Sequence, residues 1–196
     1  MTKKLLLSAA LVFGLSSFSA QAAVEKYTID TKGMHAFVTF KVKHLGYSWL
    51  QGRFNKFSGA FDYDANNASN NKVKVDIDVK SLDSNHAERD KHLKGDEFFD
   101  ADKYPDAGFV STKWVDHGNG KATLKGKFTL RGITKNVDID VTHIGGGKDP
   151  WGGFRRGFEG VTTLNLSDYN MEKGAMLGPA VENVEVWLSV EGTKNK

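Results

Sequence analysis

The chain has 196 residues and no cysteine, with 27 Lys and Arg against 24 Asp and Glu, for a formal charge of +3. That balance gives no argument for a nucleic-acid partner, and the missing thiols exclude disulfides, cysteine nucleophiles and thiolate metal sites.

The first 22 residues read as an export signal. Lys3 and Lys4 make a positive start, Leu5 to Leu15 supply an apolar run, and Ala20-Gln21-Ala22 is a small-x-small cleavage site. The run is too short for a permanent membrane anchor, and no cysteine follows it to carry a lipid. The mature chain is therefore expected to start at Ala23 and to leave the cytoplasm. A disulfide-free exported protein fits a Gram-negative periplasm. Residues 23–196 suit one domain with a sizeable core.

Period-two alternation recurs along this domain. Met34 to His44 puts Ala36, Val38, Phe40, Val42 and His44 on one face. A second strand is expected at Arg53 to Tyr63. Lys72 to Lys80 alternates Val73, Val75, Ile77 and Val79 with charged residues. Ala107 to Val115 is less regular. Ala122 to Leu130 sets Leu124, Gly126, Phe128 and Leu130 on one face, and Asn136 to His143 sets Val137, Ile139, Val141 and His143. Phe154 to Leu166 and Val181 to Gly192 complete the set, the last burying Val184, Val186, Leu188 and Val190. Eight strands, each with one apolar face, must cover that face, and with so little helix the sheet must cover itself. The fold class is thus all-β, an eight-stranded antiparallel barrel whose interior side chains fill or which holds one small ligand.

One stretch breaks the pattern. A short helical insertion is expected at about 86–104, with Asn85 as its cap, Glu88 completing a capping box, and Gly95 ending the first helix over His86 to Leu93. A second turn carries Phe98 and Phe99 and ends before Pro105. Two readings are open: a solvated charged helix whose phenylalanines plug one barrel end, or a lid whose phenylalanines line a pocket mouth while Arg89, Asp90 or His92 meets a polar headgroup.

Signals for covalent chemistry are weak. His86, Asp90 and His92 are metal-ligand types, but His86 and His92 are six apart and cannot share a helical face. No Gly-x-Ser-x-Gly elbow occurs, and the Gly145-Gly146-Gly147 and Gly152-Gly153 runs precede no helix that would cradle phosphate. No interior-face position clearly carries a carboxylate for acid–base work. No enzyme, metal or cofactor is expected. What remains is apolar capacity: many Phe, four Trp, and small interior positions Ala36, Gly59 and Gly126 that leave room between them. His44, Arg89, Arg155 and Arg156 are candidate polar contacts. Met171 and Met176 are candidates for gate contacts or loop packing, and Trp114 and Trp187, read as exposed, are candidates for a homodimer interface.

Three segments carry a resemblance: His35-Ala36-Phe37-Val38-Thr39-Phe40-Lys41-Val42-Lys43-His44-Leu45 with Gly52-Arg53-Phe54; Arg89-Asp90-Lys91-His92-Leu93 with Phe98-Phe99-Asp100 and Tyr104-Pro105; and Leu130-Arg131-Gly132-Ile133-Thr134-Lys135. In order and spacing the chain resembles the YceI-like family of exported bacterial proteins. It departs from the family pattern at Ala36, usually Ser, and in the run Leu166 to Met171. The resemblance implies a lipocalin-like barrel holding an amphiphilic polyisoprenoid or prenyl quinone-like lipid, in a periplasmic, stress-related setting. Carried onto matching positions, it nominates Phe40, His44, Phe54, Arg89, Asp90, His92, Phe98, Phe99, Phe128 and Phe158 as lining or gating residues. Two rivals stand beside this carrier: an enzyme acting on a small amphiphile through His44 or the Arg89/Asp90/His92 cluster, and a ligand-free interaction module with a solidly packed barrel.

Overall fold

A computed structural model describes residues 24–171 and 182–196. Among them, eleven strands form one antiparallel sheet: β1 (Glu25–Ile29), β2 (Phe37–His44), β3 (Ser48–Phe54), β4 (Phe57–Tyr63), β5 (Lys72–Asp78), β6 (Leu82–Asp83), β7 (Asp106–Gly118), β8 (Lys121–Leu130), β9 (Ile133–Lys148), β10 (Phe154–Asn165) and β11 (Asn183–Lys194). Strand β1 pairs with both β4 and β11, which closes the sheet into a ring.

Six of the eleven strands are halves of kinked pairs. Strands β1 and β2 run in succession along β11, with Tyr27 opposite Lys194 and Phe37 opposite Ser189. Beside them β3 and β4 succeed one another, as do β5 and β6. Eight staves result, as the count of alternating segments predicts. The first kink spans residues 30–36, where Asp30 Oδ1 accepts from Gly33 N at 2.8 Å and Met34 adopts φ +57°. That left-handed residue explains why β2 starts at Phe37 rather than Met34. β1 has only five residues and too short a pattern to register as a strand.

Inward faces agree with the alternation on β5, β8, β9 and β11, but not on β7. There the register slips between Ser111 and Lys113, so Thr112 is an extra residue and every later side chain changes face. Trp114 consequently points inward and packs edge-on against Phe158 at 5.8 Å, so it offers no exposed interface; Trp187 remains exposed. The small interior residues also differ from expectation. A Cβ on Gly126 would lie 2.2 Å from the Phe109 ring, and one on Gly59 would meet Ile29 Cδ1 at 2.8 Å. Ala36 is buried among Tyr27, Ile29 and Phe61. These positions seat neighbouring side chains instead of leaving room.

At the barrel floor, where β1 begins and β11 ends, charged groups tie the staves together. Arg155 donates to Asp30 at 2.6 Å, Glu191 at 2.5 Å and Asp149 at 3.0 Å. Arg156 reaches Glu25 at 2.9 Å and Tyr27 Oη at 3.2 Å, and its guanidinium lies 4.2 Å from the Tyr63 ring centroid. Arg155 and Arg156 are thus structural, far from the other barrel end. Burial opposes ionisation of Glu25, yet bonds from Lys194, Tyr27 and Arg156 hold it at about 2, below its ordinary 4.5. Bonds from His35, Arg155 and Gly33 N hold Asp30 at about 2, below 3.8.

Two outcomes follow from this packing. Gly126→Ala, forced against the Phe109 ring, lowers stability by about 1–3 kcal/mol in urea unfolding, the usual cost of overpacking. The depressed carboxylates stabilise the fold fully above their unfolded values and lose that contribution as pH falls from about 4.5 towards 2. Asp30→Asn is therefore less stable than the parent at pH 7, and the difference measured by the same method shrinks towards zero by pH 2. A difference that stays constant with pH would contradict the assignment.

Candidate functional site

The staves enclose an apolar cavity of about 460 Å³, within the range of small-molecule sites. The interior is therefore not solidly packed. Towards the floor its wall is Phe61, Phe109, Trp114 and Phe158, with Phe158 edge-on to Phe61 at 5.5 Å. Towards the other end it is Phe40, Phe54, Phe99 and Phe128, joined by Leu166 and Met171. Phe54 packs 5.9 Å from Phe40 and edge-on to Phe99 at 5.8 Å. Aliphatic residues such as Val75, Ile139, Val186 and Leu188 fill the wall between the rings.

The helical island covers this second end. Helix α1 (Ala87–Lys94) starts one residue later than the capping pattern predicts. Asn85 takes φ +63°, and His86 is the cap, its Nδ1 accepting from Arg89 N at 3.2 Å. Acidic Glu88 and Asp90 in the first turn and Lys91 and Lys94 in the last complement the helix dipole. Leu93 of α1 reaches the cavity wall, but no residue of the helix is fully buried, and its main polar anchor is Ser84. Its backbone N–H and hydroxyl both donate to Asp90 Oδ1, at 2.8 and 2.5 Å. Arg89 Nε donates to the same hydroxyl at 2.7 Å, and Nη2 to the Ser84 carbonyl at 2.5 Å.

After α1 the chain wraps back, with Phe99 N donating to Leu93 O at 2.9 Å and Ala101 N to Lys94 O at 2.9 Å. This turn delivers Leu93, Phe98 and Phe99 to the cavity wall. Arg131 straps it down, donating to Asp96 O at 3.2 Å and Asn170 O at 2.7 Å.

Nine of the ten nominated residues line the cavity: Phe40, His44, Phe54, Arg89, His92, Phe98, Phe99, Phe128 and Phe158. Asp90 does not; it secures the lid through Ser84. His86, Asp90 and His92 are not brought together, since His92 Nε2 meets Glu97 at 3.1 Å while the other two hold the helix. Among the described residues one other set has ligand geometry, Asp30, His35 and Glu191, but Arg155 already sits between its two carboxylates. Asp62 and Glu159 border the cavity from positions that alternate with inward-facing Phe61, Tyr63 and Phe158. Met171 is buried on the wall, and Met176 lies outside the described residues.

Sequence reasoning missed Trp114, hidden by the β7 bulge, and Leu50, hidden because β3 begins at Ser48 rather than Arg53. Leu50 matters because a shallower recess beside the lid, lined by Ser48, Trp49, Gln51, Ser84 and Asn85, shares His44, Leu50 and Arg89 with the cavity. The apolar chamber thus meets a polar mouth between the β2–β3 hairpin and α1. Burial and the nearby Tyr27-bound Arg156 depress the protonation of His143 at the floor, whereas burial raises Tyr169, under the lid, to about 12. Burial thus disfavours the charged form of both.

Comparison with known proteins agrees with this architecture. UPF0312 proteins are 51% identical in Pseudomonas aeruginosa (strain LESB58), over 99% of this chain and 100% of the relative, and 50% identical in Ectopseudomonas mendocina, over 95% and 96%. Among solved structures, Burkholderia cenocepacia BcnA superposes with a TM-score of 0.74 at 25% identity, covering 83% of this chain and 98% of that one. The Campylobacter jejuni YceI protein gives 0.71 at 28%, covering 79% and 91%. A polyisoprenoid binding domain from Saccharophagus degradans, implicated in plant cell wall breakdown, shares the fold with a TM-score of 0.63 at 16% identity, covering 86% and 98%. The profile of the YceI-like domain matches residues 27–192, nearly the whole barrel, and the chain belongs to the YceI-like family.

Proposed function

We propose that this protein carries or sequesters an amphiphilic polyisoprenoid, such as a prenyl quinone-like lipid, in the periplasm, with no covalent chemistry. The observation that carries the reading is the lidded apolar cavity opening onto a polar mouth. The tail runs between Phe40, Phe54, Phe99 and Phe128 towards Phe158, and the headgroup sits by His44 and Arg89. Arg89 spends Nε and Nη2 on Ser84, which leaves Nη1 for an oxygen of that headgroup. Burying a tail of ~300 Å² contributes roughly 7 kcal/mol before association costs, so no strong polar contact is needed. The polyisoprenoid binding domain with the same fold supports the ligand class. The export signal expected over residues 1–22 supports a periplasmic setting, and no helix among the described residues is long and apolar enough to cross a membrane. The family resemblance supports a stress-related role.

Mass spectrometry of an organic extract of the protein, purified from its own periplasm and compared with an empty-vector control, tests the reading. A stoichiometric polyprenyl species is expected. Phe99→Asp abolishes it while circular dichroism still reports the barrel; unchanged lipid content in that folded variant would remove the cavity assignment. Ser84→Ala strips Arg89 and Asp90 of the hydroxyl they share. Hydrogen bonds to charged groups are worth about 1.5–3 kcal/mol, so lid opening becomes easier and a fluorescent prenyl probe leaves about tenfold faster or more in stopped-flow exchange. Equal release rates would show that the lid is not the gate.

A further inference from the structure

The tip of the β2–β3 hairpin is built in a way the barrel itself does not need. Three large side chains stand exposed there: Leu45 at 48%, Tyr47 at 88% and Trp49 at 51%. The turn is closed by Tyr47 N donating to His44 O at 2.9 Å, with Leu45 at φ +52° and Gly46 at φ +81°. Left-handed backbone suits Gly or Asn and is costly for a bulky residue. A leucine in that conformation therefore strains the turn while about half of its surface stays exposed.

The surrounding charge is one-sided. Residues 31–61 contain five Lys and Arg and no Asp or Glu, in a chain whose charges otherwise nearly balance. Lys41 and Lys43 place their ammonium groups 4.9 and 5.4 Å from the Trp49 ring, and Lys41 also pairs with Glu185 on β11 at 2.7 Å. The hairpin forms one side of the mouth, where His44, Ser48, Trp49 and Leu50 line the recess. Tyr and Trp rings with one apolar and one polar end settle at the headgroup level of a bilayer, and nearby lysines are drawn to anionic lipid.

We propose that this hairpin tip docks the protein reversibly on an anionic phospholipid bilayer, with Leu45, Tyr47 and Trp49 at the interface and Lys41 and Lys43 on the headgroups. Docking stands on the hairpin alone. Its use, holding the mouth against the membrane so that a lipid passes without crossing water, rests on the carrier reading. Three side chains make a weak peripheral contact, which suits a shuttle that must leave again.

The test is flotation of the full mature chain with phosphatidylcholine vesicles, with and without phosphatidylglycerol. The protein is expected to float with the anionic vesicles and to release as salt rises. Leu45→Asn with Tyr47→Ser weakens binding by about tenfold or more, the scale of withdrawing one large apolar side chain from a nonaqueous site. Asparagine tolerates the left-handed turn, so thermal stability does not fall with docking. Lys43→Ser weakens binding by about fivefold, the worth of one basic residue near such a surface. Trp151→Ser, at the opposite end of the barrel, leaves it unchanged.

Failure of the parent chain to bind either vesicle would overturn the proposal. So would parental binding by the Leu45/Tyr47 variant, or loss of binding by Trp151→Ser. Sedimentation velocity showing a dimer that this variant dissolves would assign the patch to a second copy instead. Vesicle binding by a protein whose extract holds no polyprenyl species would leave docking intact and remove the carrier reading; a loaded protein that ignores vesicles would do the reverse.

Discussion

Closure of the sheet through β1 is the constraint on which the rest depends. Because β1 pairs with β4 on one side and β11 on the other, neither of these staves is left with an open edge along that stretch. The ring turns one face of every stave inward, and that face must be apolar. Yet eight staves cannot be drawn together until their side chains meet everywhere, because ring size is set by strand number and stagger. The interior fills only in part, and the unfilled part is the cavity. Closure thus produces both the stability of the shell and the space inside it.

How the space is partitioned depends on aromatic rings lying over glycines. The Phe40 ring lies where a Gly52 Cβ would be, at 2.3 Å; Phe109 does the same over Gly126 and Phe61 over Gly192. Each ring is pressed flat against the wall by a missing side chain on a neighbouring stave, instead of projecting across the lumen. Glycine inside a strand is ordinarily weakening. Here it keeps bulky apolar residues on the wall, so an interior rich in phenylalanine still encloses a chamber.

Much of this was legible from period-two patterning, because on β5, β8, β9 and β11 burial alone fixes which residues alternate. Val73, Val75, Leu124, Ile139, Val186 and Leu188 could be assigned to the interior from spacing alone. The signal failed where local backbone geometry overrides alternation. The extra residue at Thr112 reverses Trp114, the left-handed Leu45 stands before Gly46 where an Asn would have announced a hairpin turn, and β1 is too short to show a period. Nor could spacing say what a small residue is for, since Gly126 reads equally as room and as a seat for Phe109. Of the candidate site, the aromatic wall followed from the inward faces and the family resemblance. The roles of Arg155 and Arg156 did not, because they depend on partners distant in sequence; Arg155 finds Asp30 across 125 positions. Those of Ser84 and Asp90 did not either, because their pairing spans the non-helical turn before α1 and follows no helical or strand spacing.

The two barrel ends are closed by different physics, and the difference gives the chamber a direction. At the floor, Arg156 is held at once by Glu25, Tyr27 and the Tyr63 ring, and opening would strand a partly buried charge, which is expensive. At the mouth, α1 buries no residue of its own and is held by a handful of hydrogen bonds converging on Ser84, groups that water can satisfy when the lid lifts. Local opening therefore concentrates at the lid, where the polar anchors can turn to water, and its cost is the withdrawal of Leu93, Phe98 and Phe99 from the apolar wall. Among the described residues, the polar mouth beside the lid is where the chamber meets a surface recess. His44 and Leu50 on the hairpin and Arg89 on the helix bound that mouth, so it lies between a strand pair knitted into the sheet and a helix held by hydrogen bonds.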